Sequence, residues 1–448
     1  MILYYNSFNI LLYSERKDFM AILTQRPKGT QDVTPREVRK WQTVEKVAAQ
    51  TAETFGFKEI RFPTFEHTEL FTRSVGETTD VVQKEMYTFI DKGDRSITLR
   101  PEGTASTMRA LLENGLLNDA LPLKVFYITP CFRYEKPQAG RLREFHQFGV
   151  EMAGAQSPVA DAEVISLART VLTNVGIKKL KLFINSIGCP ACRARYHEAL
   201  KEFFSGRKDE LCETCLSRLE KNPMRILDCK SPICSDIANG APVILDFLCE
   251  ECSDHFEKLK GYLTAMNIEF EVNPKIVRGL DYYTKTVFEF VTEEIGAQGT
   301  VCGGGRFDGL IEELGGKPTP CLGFAIGLER LIMLAEKQGA QFMEDKALDL
   351  YVAPLDDNTI TKALSLTAAL REMGFRAETD SVGRGLKAQM KYADKMGARY
   401  TIVLGSDEIA NNSAKLKNMK TGEQLEISLG DDFAEKFMAI SIAEGMEI

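Results

Sequence analysis

The feature that most constrains the fold is a succession of short β-rich runs in the first third of the sequence. "MYTFID", "SITLRP", "KVFYITPCFRYE" and "REFHQFGVEMAG" are set apart by turn signals. Strands that follow one another in this way favour an antiparallel sheet over a βαβ array. Upstream, "PREVRKWQTVEKVAAQTAETFGF" has helical periodicity, with Pro35 suited to the first turn and Gly56 to the stop. "KEIRFPTFE" reads as a strand that Pro63 confines to an edge. The expected class is α+β.

A chain of 448 residues suggests about three domains at roughly 150 residues each. After the helix "DAEVISLARTVLTNVGI" and the strand "LKLFINSIG", the sequence from Cys189 to about Lys260 turns charged, helical and cysteine-rich. That change marks an inserted subdomain. β character resumes with "FEVNPKIVRGLDYYTKTVFEFVT" and the run "GGGRFDGL", and the helix "GFAIGLERLIMLAEKQ" closes the block. Beyond a polar linker near 338–347, "LDLYVAPL", "GFRAETD", "YTIVLGS" and "AKLKNMKTGEQLEISL" supply strands, with helices at about 358–373, 384–397 and 431–444. The expected division is an extension at 1–25, a core in two parts (26–188 and 263–337), the insertion 189–262, and an α/β domain at 346–448.

Net charge is −8, which argues against a protein that coats nucleic acid but leaves room for a local basic face. No apolar run approaches the roughly 18 residues of a membrane span. The start, "MILYYNSFNILLYSERKDFM", lacks a basic n-region and a small-residue cleavage site, so a cytoplasmic location is expected. Met20 offers a second start, which leaves open whether 1–19 belong to the native protein. In that setting the eleven cysteines read as reduced thiols or metal ligands rather than disulfides.

Several stretches carry chemistry. "FRYEKPQAGRLREFHQFGVE" places Arg133, Arg141 and Arg143 around a charged bend. Guanidinium forks match phosphate oxygens bidentately, although a solvated hairpin with cross-strand ion pairs has the same composition. "TLRPEGTASTMRALL" sets Glu102 and Thr104 where a strand runs into a helix, which also suits plain helix-start chemistry. "VRGLDYYTKTVFEF" crowds Arg278, Asp281, Tyr282 and Tyr283 into the opening of an apolar strand, where such groups need partners. "VCGGGRFDGL" lacks the Lys-Ser/Thr of a P-loop; its glycines let a backbone approach a ligand closely. Arg330, in "GFAIGLERL", has to meet an anion or pair with Glu329 or another acid.

Together these stretches resemble a known family. "FRYE…GRLREFHQF" and "GFAIGLERL" look like the second and third signature motifs of class II aminoacyl-tRNA synthetases, and "VRGLDYY" and "GGGRFDGL" resemble motifs of the histidyl-tRNA synthetases. "RPKGTQD", "TTDVVQKEMYTF" and "LRPEGT" fit the same family in order, from about Arg26 to the C-terminus. The resemblance implies a six-stranded antiparallel catalytic sheet with a helical insertion, a C-terminal α/β anticodon-binding domain, and a homodimer formed through the first motif near Pro63. It implies ATP-dependent activation of L-histidine to histidyl-adenylate, with Mg²⁺ accompanying ATP, and transfer to the 3′ end of tRNA(His). Carried over by motif position, Arg133 and Arg278 are the catalytic residues. Arg133, Glu135, Arg141 and Arg330 hold ATP. Glu102, Gly103, Thr104, Gln147, Glu151, Arg278, Tyr282 and Tyr283 hold histidine, with Glu151 and Tyr283 on the two imidazole nitrogens. The rival reading is a synthetase-like regulatory subunit of ATP phosphoribosyltransferase, which typically lacks the C-terminal domain and has eroded arginine motifs. A non-catalytic RNA-binding module is a third.

"CPAC", "CETC" and "CEEC", with Cys229 and Cys234 between, supply pairs at zinc-ligand spacing. Either two pairs meet around a structural zinc, or Cys189, Cys192, Cys212, Cys215, Cys229, Cys234, Cys249 and Cys252 serve as small apolar residues. The second reading is favoured and no residue is assigned to a metal. His67, His146, His197 and His255 follow no metal or triad spacing and are expected to be structural, His146 being the foremost candidate for an exception. Between Arg384 and Lys420 eight basic residues face three acidic ones, and Lys387, Lys391 and Lys395 share one helix face. That face suits phosphate contact or simple solvation.

Overall fold

The structure, a computed structural model, describes residues 24–76, 79–229, 231–294 and 299–443. The expected extension at 1–25 lies outside the described residues up to residue 23. The chain forms two compact units that divide after Met343.

In the first unit the strands are β1 (Lys58–Glu59), β2 (Phe65–His67), β3 (Tyr87–Ile90), β4 (Ser96–Leu99), β5 (Leu123–Phe132), β6 (Glu144–Ala153), β7 (Lys181–Ser186), β8 (Glu271–Val272), β9 (Thr284–Val291), β10 (Thr300–Arg306) and β11 (Cys321–Gly327). Eight of them make one sheet in the order β1-β5-β6-β11-β10-β9-β7-β8. The six strands from β5 to β7 pair antiparallel throughout. β1 and β8 add to the two edges in parallel. β2, β4 and β3 form a separate antiparallel sheet.

Two elements differ from expectation. "KEIRFPTFE" is not one strand: β1 ends at Glu59, and β2 begins after Pro63 in the other sheet. Proline cannot donate to a ladder, so the chain changes sheet there. "GFAIG" is strand rather than helix, because β11 pairs on both sides, with β6 and β10. The helix α10 (Leu328–Lys337) starts only afterwards, which puts Arg330 in its first turn.

Helix α1 (Val38–Thr54) buries Val44, Ala48, Thr51 and Ala52, a helical stripe. It begins three residues beyond Pro35, which sits in the preceding turn, and Gly56 (φ +81°) follows its end. Helices α2 (Thr68–Val75) and α3 (Thr104–Glu113) follow. Helix α4 (Pro158–Asn174) is capped by Ser157, whose Oγ accepts from the Val159 N–H. One sheet face carries Phe126, Phe148, Val150, Phe288 and Phe324, and these pack with residues of α1, α4 and α10 into the main core. Because successive strand residues point to opposite faces, Tyr127, Gln147, Gly149 and Glu151 point the other way. The inserted segment contributes α5 (Pro190–Ser205), α6 (Glu213–Lys221), α7 (Pro232–Ala238) and α8 (Glu250–Ala265).

The second unit is a five-stranded mixed sheet, β12 (Leu350–Pro354), β13 (Ala377–Thr379), β14 (Tyr400–Leu404), β15 (Ser413–Asn418) and β16 (Gln424–Ser428), in the order β13-β12-β14-β15-β16. Its helices α11 (Asp357–Glu372) and α14 (Phe433–Ala443) pack on the sheet through Leu366, Leu370, Phe433 and Phe437. On α12 (Leu386–Lys395), Lys387, Lys391 and Lys395 are exposed while Gln389 and Ala393 are buried. Arg384 is engaged by Asp380 at 2.7 Å and by the Tyr392 ring. Among the described residues of the whole chain no helix is long and apolar enough to cross a membrane.

Candidate active site

One register row crosses the face opposite the main core: Glu289 (β9), Gly303 (β10), Ala325 (β11), Gly149 (β6) and Tyr127 (β5). Small residues fill its centre and polar ones stand at its ends, so the row is a floor with walls. The glycines are required by close approach. A Cβ on Gly303 would lie 2.5 Å from a nitrogen of Arg278, one on Gly149 would lie 2.2 Å from the Tyr127 ring, and one on Gly323 would lie 2.0 Å from Glu151 Oε2. The glycine run thus makes room for Arg278 within the protein itself.

At the inner end, Glu102 accepts from the backbone N–H groups of Thr104 (2.7 Å) and Ala105 (2.9 Å) at the start of α3. This is the helix-start chemistry that its sequence position suggests. The Thr104 hydroxyl donates to Glu151 Oε1 at 2.7 Å, and the Tyr127 hydroxyl approaches the same oxygen at 3.5 Å. Glu151 Oε2 is buried and has no hydrogen-bond partner. Burial pushes the Glu151 carboxyl well above the usual carboxylate range, and raises Glu102 as well. Tyr282 and Tyr283 lie ring against ring, 4.8 Å between centroids, and burial raises both phenols. A buried acceptor without a donor is costly, and here it stands in a cluster of phenols and acids.

Towards solvent lies a cleft of about 920 Å³ lined by Arg133, Glu135, Arg141, Gln147, Arg278 and Arg330, among others. Arg133 donates from Nε to the Pro101 carbonyl (2.8 Å), and Arg141 meets Glu135 at 3.1 Å. Arg330 donates to the Thr300 carbonyl at 2.7 Å. Its pKa is lowered by burial and by the positive charge of Arg141, against the pull of Glu135. Arg278 is paired with Glu289 and lies over the Tyr283 ring, 5.8 Å from its centroid. Burial alone would lower its pKa, but Glu289 and the Tyr283 phenol together raise it above the usual guanidinium value. Its backbone sits at φ +55°, a conformation that costs a non-glycine residue about 1–3 kcal/mol. Arg143 turns away from the cleft, stacking 3.8 Å from the Tyr134 ring centroid beside Gly29.

The geometry has counterparts among known proteins. The family profile described as histidyl-tRNA synthetase matches residues 29–192 and 238–331, and the one described as anticodon binding domain matches 349–438. The histidine–tRNA ligase of Acetivibrio thermocellus is 55% identical over 408 residues, covering 91% of this chain and 98% of its own length. That of Clostridium perfringens is 54% identical over 411 residues, covering 92% and 98%. The chain belongs to the histidyl-tRNA synthetase family. Among solved structures, apo histidyl-tRNA synthetase of S. aureus superposes with a TM-score of 0.79 at 41% identity, covering 93% of this chain and all of that one. A Bacillus halodurans protein titled ATP phosphoribosyltransferase regulatory subunit/histidyl-tRNA synthetase shares the fold at 21% identity and a TM-score of 0.60.

Some residues around this cleft carried little signal in the sequence. Glu289 partners Arg278, and its signal was a lone acid inside the apolar run "TVFEFV". Tyr127 had no signal beyond its place in "KVFYITP". Two supports for the "VRGLDYY" segment come from the insertion: Arg225 donates to the Gly279 carbonyl (2.7 Å) and to Asp281 (3.0 Å), and Arg193 donates to the Tyr283 carbonyl (3.1 Å). Glu329 is occupied by His146, through its backbone N–H at 2.9 Å and its ring at 3.0 Å, and so is spoken for when Arg330 seeks an acid. Among groups that could hold a metal, the described residues contain two cysteine tetrads, Cys189/Cys192/Cys249/Cys252 and Cys212/Cys215/Cys229/Cys234.

Proposed function

We infer that the protein is a histidine–tRNA ligase that activates L-histidine with ATP to histidyl-adenylate and pyrophosphate, then transfers the histidyl group to the 3′ end of tRNA(His). The observation that carries the choice of amino acid is the orphaned, buried Oε2 of Glu151 beside Tyr283. Imidazole offers one N–H donor and one acceptor nitrogen. Glu151 accepts from the first and the Tyr283 hydroxyl donates to the second. A site that demands both rejects analogues by about 10⁴–10⁵-fold, because they leave its polar groups unpaired.

Adenylation here is a matter of positioning and charge. Glu102 and the Thr104 hydroxyl hold the α-ammonium, with Gly103 clearing space for Tyr127. Arg278 and Gln147 orient the carboxylate, Tyr282 closes the pocket, and Arg278 and Arg133 neutralise the α-phosphate as the carboxylate oxygen attacks and pyrophosphate leaves. Arg141 and Arg330 take the outer phosphates, exchanging Glu135 for an anion in the case of Arg141, and Glu135 meets the adenine edge. Mg²⁺ enters on the ATP phosphates as part of the substrate. The second unit binds the anticodon stem, with the Lys387–Lys391–Lys395 face on its phosphates. The active form is a cytoplasmic homodimer built on the first motif.

Amino-acid-dependent pyrophosphate exchange, screened across all twenty amino acids, tests this reading: histidine alone should support it. Arg278→Ala should lower exchange by at least about 10²–10³-fold while the chain stays folded and dimeric. Near-normal exchange in that variant would remove Arg278 from the mechanism. The regulatory-subunit reading predicts no exchange with any amino acid.

A further inference from the structure

The two cysteine tetrads have the geometry of closed metal centres. The four Sγ atoms of each lie within 4.8 Å of one another. The Cys189 and Cys192 sulfurs are 3.6 Å apart, and those of Cys212 and Cys229 are 3.9 Å apart. A tetrahedral zinc with metal–sulfur bonds of about 2.3 Å sets a sulfur–sulfur edge of about 3.8 Å. An iron–sulfur cubane places a sulfide-bridged core between its thiolates, for which this spread leaves no room.

The backbone around the sulfurs is arranged for negative charge. Cys189, Cys212 and Cys249 are the N-caps of α5, α6 and α8, and Cys192, Cys215 and Cys252 follow in the first turns. Cys234 occupies the corresponding first-turn position in α7. Each tetrad therefore faces two helix N-termini, whose dipoles and free N–H groups favour thiolates. Two such bonds are formed: the Cys249 N–H donates to Cys192 Sγ at 3.0 Å, and the Cys212 N–H to Cys234 Sγ at 3.3 Å. In both tetrads two sulfurs are buried and two are half-buried.

We propose that each tetrad binds one structural zinc ion as a tetrathiolate, so that the chain carries two zinc ions in its inserted segment. On binding, four thiols release their protons and each centre is left with a net charge of −2. The first zinc ties α5 to α8 where the insertion leaves and rejoins the sheet. The second ties α6 to α7 in a stretch of short helices. Both centres bear on the "VRGLDYY" segment. Arg193, next to Cys192, holds the Tyr283 carbonyl, and Arg225, just before Cys229, holds Gly279 and Asp281. Lys285, at φ +45°, pairs through its N–H with the Gly188 carbonyl and through Nζ with Glu251, which lies between Cys249 and Cys252. Lys285 is thus held from the N-terminal turns of α5 and α8, and the residues just after Arg278 are held by Arg225 from the turn that links α6 to the second tetrad.

Elemental analysis of the untagged full-length protein after a chelator wash tests the proposal. About two zinc per chain are expected, with Cys189→Ser and Cys212→Ser each removing about one. Cobalt exchanged into the wild-type protein should give the thiolate charge-transfer absorption of a tetrathiolate centre, a readout that survives if a serine variant fails to fold. Less than a tenth of an equivalent of zinc, a total near one, or metal that both serine variants retain would each overturn the pair of sites. Iron in place of zinc would overturn the identity of the metal.

Discussion

Glu151 shows how a single residue holds a site in a costly state. It accepts from Thr104 on one oxygen and has an empty, buried second oxygen. Burial raises its pKa, with Glu102 adding to the effect and the Thr104 and Tyr127 hydroxyls opposing it. The folded chain therefore binds that proton more tightly than the unfolded chain, whose glutamate titrates near about 4.3. The resulting stability is full below that value and is lost as pH climbs through the raised pKa. Glu151→Gln keeps the shape and removes the charge. It should melt at about the same temperature as the wild type at low pH and at a higher one above neutrality, while losing histidine-dependent exchange. A melting difference that stays constant across pH would contradict this account of Glu151.

At the scale of elements, the odd-numbered face of β6 contributes Gly149 to a floor continued by Ala325 and Gly303, while its even-numbered face builds the main core. The strand β10 does two jobs, since its last residue, Arg306, is fully buried on a network with Asp161 (3.6 Å), Asp308 (3.7 Å) and the Ala155 carbonyl. Asp161 also meets His255 of α8 at 3.2 Å, which gives that histidine the structural place expected of it. Arg306→Met strands a buried carboxylate and should cost about 3–5 kcal/mol in denaturant unfolding; a change below about 1 kcal/mol would mean that Asp161 finds another partner. Arg225 acts between elements. Arg225→Ala takes one donor from the Gly279 carbonyl and one from Asp281, which keeps Asn222, so the KM for histidine should rise several-fold more than the KM for ATP. Equal changes in both would point to general loosening instead.

At the scale of the whole molecule, the proposed reading gives the two units separate tasks. The first contains the cleft and every residue assigned to histidine and ATP. The second, with its exposed lysine face, is assigned to tRNA. Deleting residues 346–448 should spare histidine-dependent pyrophosphate exchange and cripple aminoacylation; equal loss of both would argue that the units fold or act as one. Zinc at the two tetrads adds a cross-link to an insertion that already packs Tyr196, Leu200, Phe204, Leu219, Ile226 and Ile237 into a buried apolar cluster.

Period and order made much of this protein legible from its residues. Alternation marked the strands, Pro63 broke one, and the arginine-bearing motifs in sequence pointed to the family and the chemistry. Spacing also showed that the cysteines come in pairs, but not which pairs meet, because that depends on the chain bringing the first turn of α5 to that of α8 and the first turn of α6 to that of α7. A different limit hid Glu289 as the partner of Arg278 and Tyr127 as the neighbour of Glu151. Tyr127 nears Glu151 across the β5–β6 hairpin, and Arg278 folds back onto Glu289 of β9 only eleven residues on, so what a local pattern lacked was the hairpin register and the path of the 278–283 segment, which tertiary packing fixes.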